Sequence, residues 1–158
     1  MARALLAGVA DGVGGWRSYG IDPSRFSSTL MNTCARLVQE GRVAAAQPAD
    51  VLAAAYYEIL DSKAALIGSC TACIVSFNRA DRTLYSATLG DSGFLVLRAT
   101  LAGPGPGLNA SHMERVTLEA QPVLRVVHRS RKMQHYFNAP HQLAVEPAEQ
   151  RGLVLSDR

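Results

Sequence analysis

The fold class of this chain is decided by residues 70–77, which read CTACIVSF. An uninterrupted run of apolar and β-branched residues of this length is typical of a strand that is buried on both faces. A polar turn at residues 78–81 separates it from residues 84–89, which alternate as in a half-buried strand. A glycine turn at 90–93 then leads into residues 94–98. We therefore predict a meander of three antiparallel strands.

Two amphipathic helices are predicted on the N-terminal side of this meander. The first begins at Pro23, with Asp22 placed to cap it, and ends at Gly41. The second follows Pro48. Because each helix has one apolar side, a sheet or another helix has to cover that side. Helices combined with an antiparallel meander predict the α+β class.

Two glycine turns place a carboxylate at the end of a predicted strand. Residues 5–10 form a short apolar strand that runs into the sequence Asp11-Gly12-Val13-Gly14-Gly15-Trp16, and Asp91 lies in the turn after residues 84–89. Hard cations such as Mg²⁺ and Mn²⁺ need carboxylate and carbonyl oxygens, and an Asp-Gly step supplies both. A lone Asp-Gly is more often a structural turn, so a metal-site prediction depends on the joint arrangement.

Composition and charge exclude several classes of protein. The chain has 158 residues, of which 48% are hydrophobic and 18% charged, so it can bury a core. Its net charge is +3, and the excess lies between Arg98 and Lys132, beside a glycine- and proline-rich run. That pattern indicates a solvated loop and no nucleic-acid partner. No apolar run approaches the ~20 residues that a membrane span needs, so we expect none.

The three cysteines are predicted to be buried structural thiols. Their odd number argues against a disulfide framework. Cys70 and Cys73 have the spacing of a C-x-x-C motif, but on a strand they point to opposite faces, which does not suit a shared zinc ion.

The regular pattern is interrupted at residues 99–124, which contain alternating glycine and proline and resume a strand-like pattern only at 123–128. This segment is predicted to be a disordered insertion in a single partial domain that covers residues 1–158. Residues 153–158 read as the beginning of another strand.

Several motifs together resemble the type 2C metal-dependent protein phosphatases. Within that family the chain is similar to the mitochondrial branch, whose first turn reads Asp-Gly-Val-Gly-Gly-Trp. The resemblance covers about residues 8–98 and 125–157. It is carried by residues 11–16, 68–72, 89–93, 127–130 and 134–138.

The resemblance implies a β-sandwich flanked by helices, incomplete here, with metal ions at one end. It implies that Asp11 is the catalytic residue that bridges two Mn²⁺ or Mg²⁺ ions, and that Gly12 gives its carbonyl to one of them. Asp91 would lie near a third, weaker metal position. The implied reaction is hydrolysis of phosphoserine and phosphothreonine in phosphoproteins by an activated water. The resemblance also implies a monomer in the mitochondrial matrix, although no targeting peptide is recognisable.

The chain departs from the family pattern in two respects. Val13 stands where many members have a histidine that is proposed as general acid, so no residue is assigned that role. Further acidic motifs of the family have no counterpart here, which predicts truncation at both ends and weak metal retention. The alternatives are therefore a catalytically inactive fragment or interaction module, and an unrelated α+β domain whose Asp-Gly turns are structural.

Overall fold

The computed structural model describes residues 5–62, 66–101 and 122–146. They divide into two compact units, one within Met1–Gly93 and Arg131–Arg158 and the other formed by Phe94–Ser130. The elements in chain order are β1 (Leu5–Gly12), a 3₁₀ helix (Gly14–Tyr19), α1 (Pro23–Gln39), α2 (Pro48–Asp61), β2 (Gly68–Asn78), β3 (Thr83–Leu89), β4 (Leu95–Leu101), β5 (Pro122–Arg129), β6 (Gln134–Tyr136), β7 (Ala139–Pro140) and β8 (Leu143–Val145).

The larger unit is built around β2, the strand that the sequence identifies as fully buried. β1 and β3 pair with β2 on its two sides, both antiparallel, and β8 pairs with its first residues beyond the end of β3. Within the predicted buried run, residues 70–74 and Ser76 are buried, whereas Val75 and Phe77 are half-buried. The helices and the antiparallel sheet confirm the α+β class.

Both predicted helices are confirmed, and they pack on one face of this sheet. Their buried side chains form one core cluster with those of β2. At the start of α1 the Asp22 carboxylate accepts hydrogen bonds from the Ser24 backbone N–H at 2.9 Å and from its hydroxyl at 2.8 Å. At the other end, Gly41 has a φ of 70°, the left-handed conformation in which glycine ends a helix. The caps read from the sequence therefore set the helix bounds.

The predicted three-stranded meander is wrong in its third strand. β2 and β3 form a hairpin, but β4 pairs with β5, with Arg98 opposite Arg125, in a separate two-stranded sheet. In a tight turn the Gly90 carbonyl oxygen would accept a hydrogen bond from within the turn. Here it accepts one from the Met133 N–H, at 2.7 Å. The chain therefore leaves the larger sheet after β3, and β4 pairs with β5, a strand more than twenty residues further along the sequence.

The predicted insertion falls mainly outside the described residues. The predicted bounds are wrong at both ends, because residues 99–101 belong to β4 and residues 122–124 belong to β5. Residues 102–121, with Arg115, lie outside the described ranges, as do residues 153–158. The basic residues Arg98, Arg125 and Arg129 lie on strands and not in the solvated loop that was expected, because β-branched neighbours favour extended backbone there.

The cysteine prediction is confirmed. Cys34, Cys70 and Cys73 are all buried and free. Burial raises the pKa of the Cys34 thiol to about 11. Burial, with a smaller contribution from the Asp11 charge, raises that of Cys70 to about 12. Within the described ranges, no helix has both the length and the apolar character needed to span a membrane.

Packing of α1 against the sheet predicts a large stability difference between two leucine variants. Leu30 on α1 is fully buried, whereas Leu60 on α2 is 44% exposed. We expect Leu30→Ala to lower the free energy of unfolding by about 3 kcal/mol, because it leaves a cavity in the core. Leu60→Ala should change it by less than about 0.5 kcal/mol. Denaturant titration measures both, and equal losses would contradict the packing described.

Candidate metal centre

A cleft of about 350 Å³ lies in the larger unit. The three residues of the predicted metal site, Asp11, Gly12 and Asp91, all line this cleft. Both aspartates are exposed to solvent. The structure therefore brings the three residues to one cleft, while their role as metal ligands stays a prediction. The lining residues are Asp11, Gly12, Val13, Gly14, Arg17, Thr71, Asp91, Asn138, Pro140 and Gln142.

The two aspartates meet because their turns are tied through β2. Asp11 lies at the end of β1, directly opposite Thr71 in the β1–β2 register. The Thr71 hydroxyl forms a 2.6 Å hydrogen bond with the hydroxyl of Ser92, the neighbour of Asp91 in the turn after β3. One side chain of the central strand thus connects the backbone segments that carry the two carboxylates.

Two glycines of the site are required by close packing. A Cβ atom at Gly12 would overlap the Pro23 carbonyl oxygen and lie 2.7 Å from the Pro23 carbonyl carbon, so the start of α1 lies directly against this residue. Gly90 has a φ of 83°, and a Cβ there would lie 2.6 Å from the His141 carbonyl oxygen. At both positions glycine is therefore needed for folding, whatever the cleft binds.

A chain of hydrogen bonds, buried at Trp16 and part-buried at Gln142, holds the first turn in place. The side chain of Trp16, 2% exposed, donates from its indole Nε1 to the Ser69 hydroxyl at 2.8 Å. That hydroxyl donates in turn to Oε1 of Gln142 at 2.9 Å. The backbone N–H of Val13 also donates to the Ser69 carbonyl oxygen at 2.9 Å. The glycine turn is therefore fixed by specific bonds to β2.

Sequence reasoning assigned no site role to four lining residues with polar side chains, although two of them lie in segments that carry the resemblance. They are Arg17, Thr71, Asn138 and Gln142. Asn138 has a φ of 61°, in the two-residue turn between β6 and β7, where asparagine is tolerated better than most residues. An Asn in a short polar segment is a turn signal that could have been found. Nothing in the sequence connects that turn to Asp11, because the link depends on the pairing of β8 with β2.

The donors in the cleft fit a hard divalent cation in kind. They are carboxylate, amide, hydroxyl and backbone oxygens, which Mg²⁺ and Mn²⁺ prefer. In number they are few, since the described residues contain no group of three His, Cys, Asp or Glu side chains that could hold an ion. Asp11, Gly12 and Asp91 thus fit a part of a metal shell, and further ligands would have to be added to them.

Different packing around two nearby glycines gives a test of the site geometry. We expect Gly12→Ala to lower the free energy of unfolding by about 2 kcal/mol, because its Cβ would press on the Pro23 carbonyl group. Gly14→Ala serves as the matched control, since its Cβ would meet nothing within 4 Å, and should be close to neutral. Thermal or denaturant unfolding compares the pair, and a stable Gly12→Ala variant would disprove the close approach of α1.

Known proteins similar to this chain are phosphatases. It is 50% identical over 154 residues to Protein phosphatase PTC7 homolog of Danio rerio, an alignment that covers 98% of this chain and 44% of that protein. It is 49% identical to the human protein of the same name, of which 43% is covered. Protein phosphatase PTC7 homolog fig of Drosophila grimshawi is 40% identical over 156 residues, and 43% of it is covered. The chain thus spans less than half the length of these curated relatives. No family model and no solved structure matches it.

Proposed function

We propose that this chain is part of a type 2C protein phosphatase, because it is 49–50% identical over nearly its whole length to proteins named Protein phosphatase PTC7 homolog. The protein containing it would remove phosphate from phosphoserine and phosphothreonine in other proteins. The observation that carries the proposal is the convergence of Asp11, Gly12 and Asp91 on one open cleft. A surface cleft of about 350 Å³ is large enough for a phosphorylated side chain.

The proposed role of the aspartates is to hold divalent metal ions, on which the type 2C family depends. We propose Mn²⁺ or Mg²⁺, with the Asp11 carboxylate shared by two ions and the Gly12 carbonyl given to one of them. Asp91 would serve a third, weaker position. Such ions lower the pKa of a water and neutralise phosphoryl charge. The register that sets Asp11 opposite Thr71, and the Thr71–Ser92 bond, support this proposal because they connect the backbone segments that carry the two aspartates.

The leaving group needs a proton, and the described residues assign it no donor. Val13, at the position where many members have a histidine, is 5% exposed and packs as an apolar residue. A solvent-exposed cleft gives water access to the leaving oxygen, so we propose that solvent supplies this proton.

A second candidate function is that of a catalytically inactive interaction module. It is favoured by one observation, that the described part of the chain contributes two carboxylates to the wall of the cleft. Metal affinity rises with the number and charge of the ligands, so this part of the protein alone would hold ions weakly. The two candidates differ in whether metal-dependent turnover is observed.

Phosphatase activity is tested by removing one charge from the cleft. In the full-length protein that contains this chain, we expect Mn²⁺-dependent hydrolysis of a phosphoserine peptide. Asp11→Asn should lower kcat/KM by at least about 100-fold, because it removes the negative charge of a proposed metal ligand while nearly keeping the side-chain shape. Asp61→Asn, at an exposed acid at the end of α2, is the matched control and should retain full activity. Turnover that is absent in the wild-type protein, or equal in wild type and Asp11→Asn, would favour the inactive module.

We also propose that the protein works as a monomer in mitochondria. The support is the resemblance of residues 11–16 to the mitochondrial branch of the family. We expect the full-length protein, expressed at its native level with a C-terminal tag, to be protected from protease in the mitochondrial fraction. Recovery of the tagged protein from the cytosolic fraction would contradict the proposed location.

A further inference from the structure

Arg17 is a charged residue of the cleft that neither the metal-site motifs nor the proposed chemistry uses. It lies in the 3₁₀ helix Gly14–Tyr19, directly after the buried Trp16. The Trp16 indole is hydrogen-bonded to Ser69, and the Tyr19 ring lies 6.1 Å from it between ring centroids. The backbone that carries Arg17 is therefore well fixed, while its side chain reaches the cleft and is exposed.

The charge of Arg17 is opposite to that of the other ionisable residues in the cleft wall. Among the described residues that line the cleft, Arg17 is the one cation, and Asp11 and Asp91 are the anions. It forms no ion pair within the described ranges, in contrast to Arg36 and Arg42, which pair with glutamates. Arg17 thus lines the same cleft as both aspartates without forming an ion pair with either.

Asp22, the carboxylate near Arg17 but outside the cleft, is already hydrogen-bonded. Asp22 accepts two hydrogen bonds from Ser24, at the start of α1. These bonds are the main reason why the pKa of Asp22 is lowered, and the charge of Arg17 adds a smaller effect. Arg17 therefore acts on Asp22 at a distance and keeps its five donors available.

A phosphoryl group that enters this cleft brings two negative charges toward two carboxylates. Divalent ions at the aspartates would offset part of that repulsion. A guanidinium offers a planar pair of N–H donors that matches two oxygens of one phosphate. We propose that Arg17 binds the non-bridging oxygens of the substrate's phosphoryl group and so orients it in the cleft. This inference rests on the proposed phosphatase function and adds a substrate-binding residue to it.

The experiment measures phosphate binding and turnover separately in the full-length protein. Inorganic phosphate is titrated calorimetrically at saturating Mn²⁺, and KM and kcat are measured with a phosphoserine peptide. We expect Arg17→Met to weaken phosphate binding by about tenfold or more and to raise KM to a similar extent. Arg17→Lys should recover part of the loss, because it restores the charge without the paired donors.

Arg25→Met is the matched control, since Arg25 is also exposed and close to Asp22 but does not line the cleft. It should bind phosphate as the wild type does. Phosphate affinity within twofold of wild type in Arg17→Met, or no phosphate binding by the wild type, would overturn the inference. A change in Mn²⁺ affinity with unchanged phosphate affinity would also overturn it, and would make Arg17 a counter-charge for the aspartates.

The phosphate titration does not require turnover, so the two proposals fail in different ways. If the wild type binds phosphate through Arg17 but hydrolyses no phosphopeptide, the phosphatase function fails and the anion site stands. If turnover depends on Asp11 but Arg17→Met binds phosphate normally, the function stands and the role of Arg17 is disproved.

Discussion

The buried hydrogen bond from the Trp16 indole to the Ser69 hydroxyl is the constraint on which the cleft depends. Ser69 lies at the start of β2, and its hydroxyl also donates a hydrogen bond to Gln142. Three segments that are far apart in sequence are therefore joined at the Ser69 hydroxyl oxygen. A buried indole N–H without an acceptor would cost about 1–3 kcal/mol. The turn that carries Asp11 is therefore held in one conformation by the strand at the centre of the sheet.

A second constraint acts from the helix side. The start of α1 packs against Gly12 so closely that no side chain fits between them, and the Asp22 cap fixes where α1 begins. The backbone of the first motif is thus confined between β2 on one side and the N-terminus of α1 on the other. If the proposed metal site is correct, this confinement would hold the Asp11 backbone and the Gly12 carbonyl in fixed directions.

Much of the fold could be predicted from local signals. Short stretches of sequence are enough to predict where α1 begins, at Asp22-Pro23, and where it ends, at Gly41. The apolar run in β2 likewise predicts a buried strand from local sequence alone. The pairing of β4 could not, because the turn at residues 90–93 has the composition of a hairpin turn while its backbone is used by Met133. In the site, Asp11 and Asp91 were recognisable as carboxylates in strand-end glycine turns. Arg17 and Gln142 were not, since their positions depend on long-range contacts to β2.

The burial of the cysteines limits how readily their thiols are oxidised. Peroxide reacts with the thiolate form of cysteine, and reaction needs access as well as charge. Cys34, Cys70 and Cys73 lie in the interior, and burial raises the pKa of each thiol, so all three stay protonated at the pH of a cell. Oxidative stress that inactivates enzymes with an exposed, ionised sulfur would find no such target among these three side chains.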